Sequence, residues 1–192
     1  MACKLTRSLD NKLCEYTVAG ARILWLANWY PPYEMAPTPV TNDNGIGYTF
    51  DGDGYISEIR LPRGENFYEI SGAANTLSFT DALLAGGNGG KYRQHTVNAV
   101  LEKYDLDVLN EGDALSLGRF IAVVTDAAGR IVVLGRTGGL TAPAGGFDYN
   151  SGAAEADATG WTVILQGTSM EIGPLVKDAT VVTPIYQETI TP

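Results

Sequence analysis

The stretch TFDGDGYISEIR, residues 49 to 60, comes close to a calcium-binding loop. Asp51, Asp53, Gly54, Ile56 and Ser57 stand where an EF-hand loop places acid, acid, glycine, apolar residue and oxygen ligand. The pattern breaks at its last position. Such a loop ends on a bidentate Glu, and here Arg60 would set a cation against the ion. The flanks also read as strands rather than helices. A tight turn explains the same residues, because Gly52 and Gly54 permit positive φ and Asp51 and Asp53 can accept from neighbouring amides.

Three further groups invite chemistry. GGNGGKYR, 86 to 93, suggests a phosphate loop, but Ala85 replaces the first glycine and Tyr92 the hydroxyl residue after the lysine. A turn between strands is expected instead. His95 is the single histidine; no G-x-S-x-G elbow accompanies it, and a half-buried structural or interface side chain is expected. Asp51/Asp53 and Asp105/Asp107 have the composition of a glycosidase pair, but nothing in their spacing sets them apart from surface acids. Trp25, Trp29, Tyr30 and Tyr33 suit either a sugar-stacking platform or core packing with a subunit anchor. No catalytic, cofactor-binding or metal-ligating set emerges, and an enzyme is not expected. Two cysteines, Cys3 and Cys14, with one histidine are too few for a zinc site without carboxylates. Free thiols in a reducing cytoplasm are the default expectation.

The elements around these residues are mostly strands. The chain has 192 residues, 45 % apolar and only 18 % charged, with 23 Gly and nine Pro, a composition of many turns. The net charge of −9 and the lack of a basic run argue against wrapping nucleic acid. No apolar stretch approaches membrane-spanning length. Residues 23 to 29 alternate, with Ile23, Trp25, Ala27 and Trp29 on one face and Leu24 and Leu26 on the other. Gly20 marks a bulge or bend. Tyr48 to Leu61 reads as a hairpin about the Asp51–Gly54 turn, followed by strands near 67–71, 76–84 and 91–102. Phe120 to Thr125 and Ile131 to Leu134 are apolar on both faces, hence buried on both, and Asp126 to Gly129 joins them. From Trp161 to Gln166, Trp161, Val163 and Leu165 point inward. The helix candidate is 105–117, capped by Asp105 and stopped at Gly118. A single β-rich domain over 1–192 is expected: mainly β, a β-sandwich or distorted barrel with one short α-helix at about 105–117 and long loops. A Pro-rich arm lies at 30–47, a Gly/Ala-rich excursion at 136–160 and an extended C-terminal tail at 180–192.

RIVVLGRTGGLTAPAGGFDYNSGAAEADATGWTVILQGTSMEI, 130 to 172, resembles structural proteins of phages and prophages of gut Bacteroidetes. The matching pieces are the hairpin ending in Leu134-Gly135, the small-residue stretch with Ser151-Gly152, and Asp157 to Gly167. KYRQHTVNAVLEKYDLDVLNEGDALSLGRFIAVV is also similar, so the likeness covers roughly 85 to 175. Within such virions the tail tube fits best. That resemblance implies a β-sandwich or barrel with a flanking helix, hexameric rings that each share strands in a continuous inner barrel, and a long loop reaching the next ring. It implies a virion tail subunit made in the bacterial host cytoplasm, with itself and other tail proteins as partners, DNA as cargo that does not stick, no membrane and no cofactor. The expected inter-subunit contacts are Pro31, Pro32 and Tyr33 in the arm and Asp51, Gly52, Asp53 and Gly54 in the hairpin turn. The competing readings are a capsid decoration protein, a baseplate component or a head–tail adaptor, and a carbohydrate-binding β-sandwich module using the Trp25–Tyr33 aromatics.

Overall fold

The computed structural model describes residues 19–34, 45–70, 76–87, 89–153 and 159–182. Cys3 and Cys14, most of the Pro-rich arm and the tail beyond residue 182 lie outside them. The protein is mainly β, with two sheets and one α-helix among the described residues. The first sheet runs through β1 (Ala21–Asn28), β2 (Pro32–Glu34), β3 (Ile46–Phe50), β4 (Ile56–Arg60), β5 (Tyr68–Ile70), β8 (Phe120–Asp126), β9 (Ile131–Leu134) and β12 (Leu175–Val176). Its strand order is β2-β3-β4-β12-β9-β8-β1-β5. The second sheet contains β6 (Ser78–Ala85), β7 (Lys91–Leu101), β10 (Phe147–Asn150) and β11 (Gly160–Ser169), in the order β10-β11-β7-β6, antiparallel throughout.

The apolar runs explain why β1, β8 and β9 lie in the middle. Leu24 and Leu26 of β1, with Ala122 and Val124 of β8, join one core that also holds Val97, Ala99, Val163 and Leu165 of the second sheet. The opposite faces, Ala27, Ile121, Val123 and Val133, enter a second core with Ile46, Tyr48, Ile56 and Val176. Strands apolar on both faces are thus covered on both, and the alternation at residues 23–29 is satisfied side by side. Trp25, Trp29 and Tyr30 pack against the second core, Trp29 Nε1 donates to the Arg136 carbonyl at 3.1 Å, and Tyr30 Oη donates to Glu65. Gly20 has φ +98°, and the β1–β8 register shifts just after it.

The helix α1 (Leu106–Leu117) is capped by Asp105, whose carboxylate accepts from the Val108 N–H at 3.1 Å. Gly118 ends it, but not through a left-handed turn, since its φ is −75°. A Cβ there would stand 2.4 Å from the Ala114 carbonyl oxygen, so glycine is needed for close approach.

Several loops are more structured than the sequence suggests. The 30–47 arm includes β2, paired in parallel with β3. The 136–160 excursion supplies β10, and Leu140 within it is fully buried and bridged to Phe120. Those strands are short, three and four residues, so their pairing comes from the longer strands that they lie against. The segment expected as an extended tail opens with a 3-10 turn, Ala179–Val181, whose N-cap Asp178 accepts from Thr180 N–H. His95, expected half-buried, is 1 % exposed.

Candidate assembly interface

The expected contact residues fall at the two ends of β3. Pro32 and Tyr33 lie in β2 on the sheet edge, and the Pro31 carbonyl accepts from Ile46 N–H at 3.1 Å. Asp51 to Gly54 form the β3–β4 turn. Asp51 Oδ1 accepts from Asp53 N–H at 3.0 Å and Tyr55 N–H at 2.9 Å, and Gly54 takes φ +91°. The other Asp51 oxygen is 3.9 Å from Lys177 Nζ. The turn therefore occupies the carboxylate that the calcium reading requires. Among the described residues no group of three His, Cys, Asp or Glu side chains is placed to hold a metal ion, and no helix is long and apolar enough to cross a membrane. The arm and the turn are not brought together: a five-residue strand separates them by roughly 17 Å.

A second region, not foreseen from the sequence, is the β10-β11-β7-β6 sheet. Among the described residues neither of its outer strands has a partner on its far edge. β6 is eight residues long, and such an edge strand presents a row of outward N–H and C=O groups, of which the Asp81 carbonyl is taken by Arg93 at 3.0 Å. The Gly86 N–H bonds the Gly90 carbonyl at 2.7 Å at the β6–β7 hairpin. Antiparallel alternation from that bond turns the amides of Phe79, Asp81 and Leu83 away from β7. At the other edge, Ile164 N–H bonds the Gly146 carbonyl at 2.7 Å, so alternation turns those of Phe147 and Tyr149 outward.

The faces of this sheet differ sharply. Val97, Ala99, Val163 and Leu165 point into the first core. The opposite face carries Thr80, Gln94, Thr96, Asn98, Thr162 and Gln166, among other uncharged residues. Gln94 Nε2 donates to Gln166 Oε1 and Asn98 Nδ2 to Ser78 Oγ, each at 3.4 Å. The only ionisable carboxylate among its strand positions is Asp148, and no Lys or Arg stands there.

A charged clamp ties β6 to the rest of the molecule. Asp81 Oδ1 accepts from Arg93 Nε at 2.5 Å and Oδ2 from Gly173 N–H at 3.0 Å; Arg93 also reaches the Asp81 carbonyl at 3.0 Å. Burial raises the Asp81 carboxyl, but Arg93, the Gly173 amide and His95 outweigh it and hold it below the usual carboxylate range. His95 Nδ1 accepts from Gly135 N–H at 3.2 Å, and Nε2 lies 3.4 Å from Asp81 Oδ1. Burial pulls this imidazole down, with Asp81 and Glu171 opposing. Beside it, Arg136 grips Glu171 through Nε and one Nη of its guanidinium and lies over the Tyr48 and Phe50 rings. With one nitrogen engaged and almost no exposed surface, His95 acts as a strut. The signal in the sequence was the alternation of Asp81 and of Arg93 and His95 with core residues; their pairing depends on the β6–β7 register.

No protein-family model, no curated protein and no solved structure matches the chain.

Proposed function

We propose that this chain is a phage virion structural protein, the tail tube subunit, which assembles into stacked rings around a DNA conduit. One observation carries the reading: the two open edges of the four-stranded sheet are complementary in direction and in face. An antiparallel sheet with an even number of strands has edge strands of opposite direction, so a copy related by rotation in the same plane adds β6 antiparallel to β10. The outward amides on β6 belong to Phe79, Asp81 and Leu83, and on β10 to Phe147 and Tyr149, all of which point to the core side. Joined through them, core-facing side continues into core-facing side, and the face without Lys or Arg into its like. A shift of one residue on either strand would have reversed this. Repetition of such a junction around an axis closes a barrel and removes both edges of this sheet.

The face without Lys or Arg suits a conduit wall. Affinity for a phosphate backbone comes from Lys and Arg releasing counterions, and this face has neither. The β2 edge at Pro31–Tyr33 and the Asp51–Gly54 turn are then the proposed contacts between stacked rings. Sizing and negative-stain imaging of the purified chain test the proposal: hexameric rings or tubes are expected. Discrete trimers would favour a capsid decoration protein. A monomer at millimolar concentration would overturn the proposal.

A further inference from the structure

The helix α1 is apolar on the side that faces solvent. At 100° per residue Leu106, Leu109, Asp113 and Leu117 fall within about 80° of one another, roughly opposite Leu115. Leu115 and Gly112 are buried, Gly112 against the Phe147 ring, whereas Leu106, Leu109 and Leu117 are 73 %, 43 % and 85 % exposed. A helix with leucine on both sides needs a cover on both. The helix also carries Asp107, Glu111 and Asp113 and no cation.

The opposite end of the same sheet has a second apolar surface. Leu83 on β6 is exposed by 57 %, and the loop after β11 exposes Met170 and Ile172. The Gly173–Asp81 hydrogen bond holds that loop against β6, and Lys91, on the core-facing side opposite Ala85, lies two residues from the level of Leu83.

We infer that the leucine stripe of α1 docks on the Leu83–Met170–Ile172 surface of a neighbouring copy of this chain. The inference rests on the edge-to-edge reading above. α1 packs beside β10 on the core-facing side, through Gly112 and Phe147. The neighbour's Leu83 points to that same side of a continued sheet. Adding the neighbour's β6 to β10 therefore brings the two apolar surfaces to one seam. Charge selects this pairing over helix against helix: two copies of α1 joined through the leucine stripe would set Asp113 against Asp113, while the β6 side offers Lys91.

The test uses two variants of the full chain, Leu106→Glu/Leu117→Glu on the helix and Met170→Glu/Ile172→Glu on the loop, followed by light scattering after size exclusion. All four positions are exposed, so folding should persist, as circular dichroism will check. If the glutamates disturb it, Leu117→Gln and Ile172→Gln carry the same test. Each variant alone should lose association by about tenfold or more. An equimolar mixture should form a dimer and nothing larger, because each variant retains the surface that the other lacks. Normal assembly of the helix variant would overturn the inference, and wild-type tubes alongside it would leave the tube reading standing. Failure of the helix variant with normal assembly of the loop variant would also overturn it, in favour of helix pairing. A mixture that dimerises as expected, with a wild type that forms no rings or tubes, would support this seam and overturn the tube reading.

Discussion

Replacing Asp81 by Ala removes the residue that fastens an edge strand to the loop beside it. The carboxylate accepts from Arg93 Nε and Gly173 N–H, and the Asp81 and Arg93 side chains are 15 % and 23 % exposed. Loss of the Gly173 bond costs about 1 kcal/mol, and a charge-assisted bond contributes about 1.5–3 kcal/mol, reduced by the remaining solvent access. The expected total is about 2–3 kcal/mol, which lowers Tm by about 5–10 °C in a chain of this length. Asp81→Asn keeps an acceptor for Gly173 N–H but turns its NH2 toward the Arg93 donor, losing that bond with the charge, so about 1–2 kcal/mol is expected. Urea unfolding followed by tryptophan fluorescence measures both, under conditions where the chain is dispersed. A loss below about 0.5 kcal/mol in Asp81→Ala, less than one ordinary hydrogen bond contributes, would refute the clamp. Equal losses in the two variants would refute the division between amide and charge.

Leu83→Pro should keep the fold and abolish assembly, since the Leu83 amide points away from β7 and its loss breaks no internal ladder bond; sedimentation and thermal melting separate the two effects. Gly167→Ala should destabilise by about 2–4 kcal/mol, because its Cβ would stand 2.0 Å from the Gly139 carbonyl, whereas Gly52→Ala, with nothing near, should be close to neutral by thermal melting. Stability should fall on acidification. His95 is held below its ordinary 6.5 in the folded chain, so the unfolded chain takes up its proton first and stability declines as pH falls through about 6.5. Asp81 is likewise held below 3.8, adding a further loss below about pH 4. Urea midpoints from pH 8 to 2.5 measure this, and His95→Gln, which removes the titrating group, should flatten the slope near pH 6.

The β class of this protein, the place of its helix and the both-sided burial of its central strands are written in local pattern. Alternation in residues 23–29, the apolar runs at 120–125 and 131–134, and Asp105 before the helix each specify their structure through contacts within a few residues. The Asp51–Gly54 turn is equally local, since its carboxylate bonds amides two and four positions on. The short strands β2, β10 and β12 carry no such pattern, because their hydrogen bonds come from distant partners. The candidate interface depended on tertiary structure altogether. Thr96 and Gln166 are ordinary polar residues until β7 and β11 pair and bring them opposite each other on one face that carries no Lys or Arg. Asp81, Arg93 and His95 become a clamp only through the β6–β7 register, and an edge is open only once the strand order is decided. Periodicity records which side of a strand is dry; which strand lacks a neighbour is a property of long-range pairing, and no local run of residues encodes it.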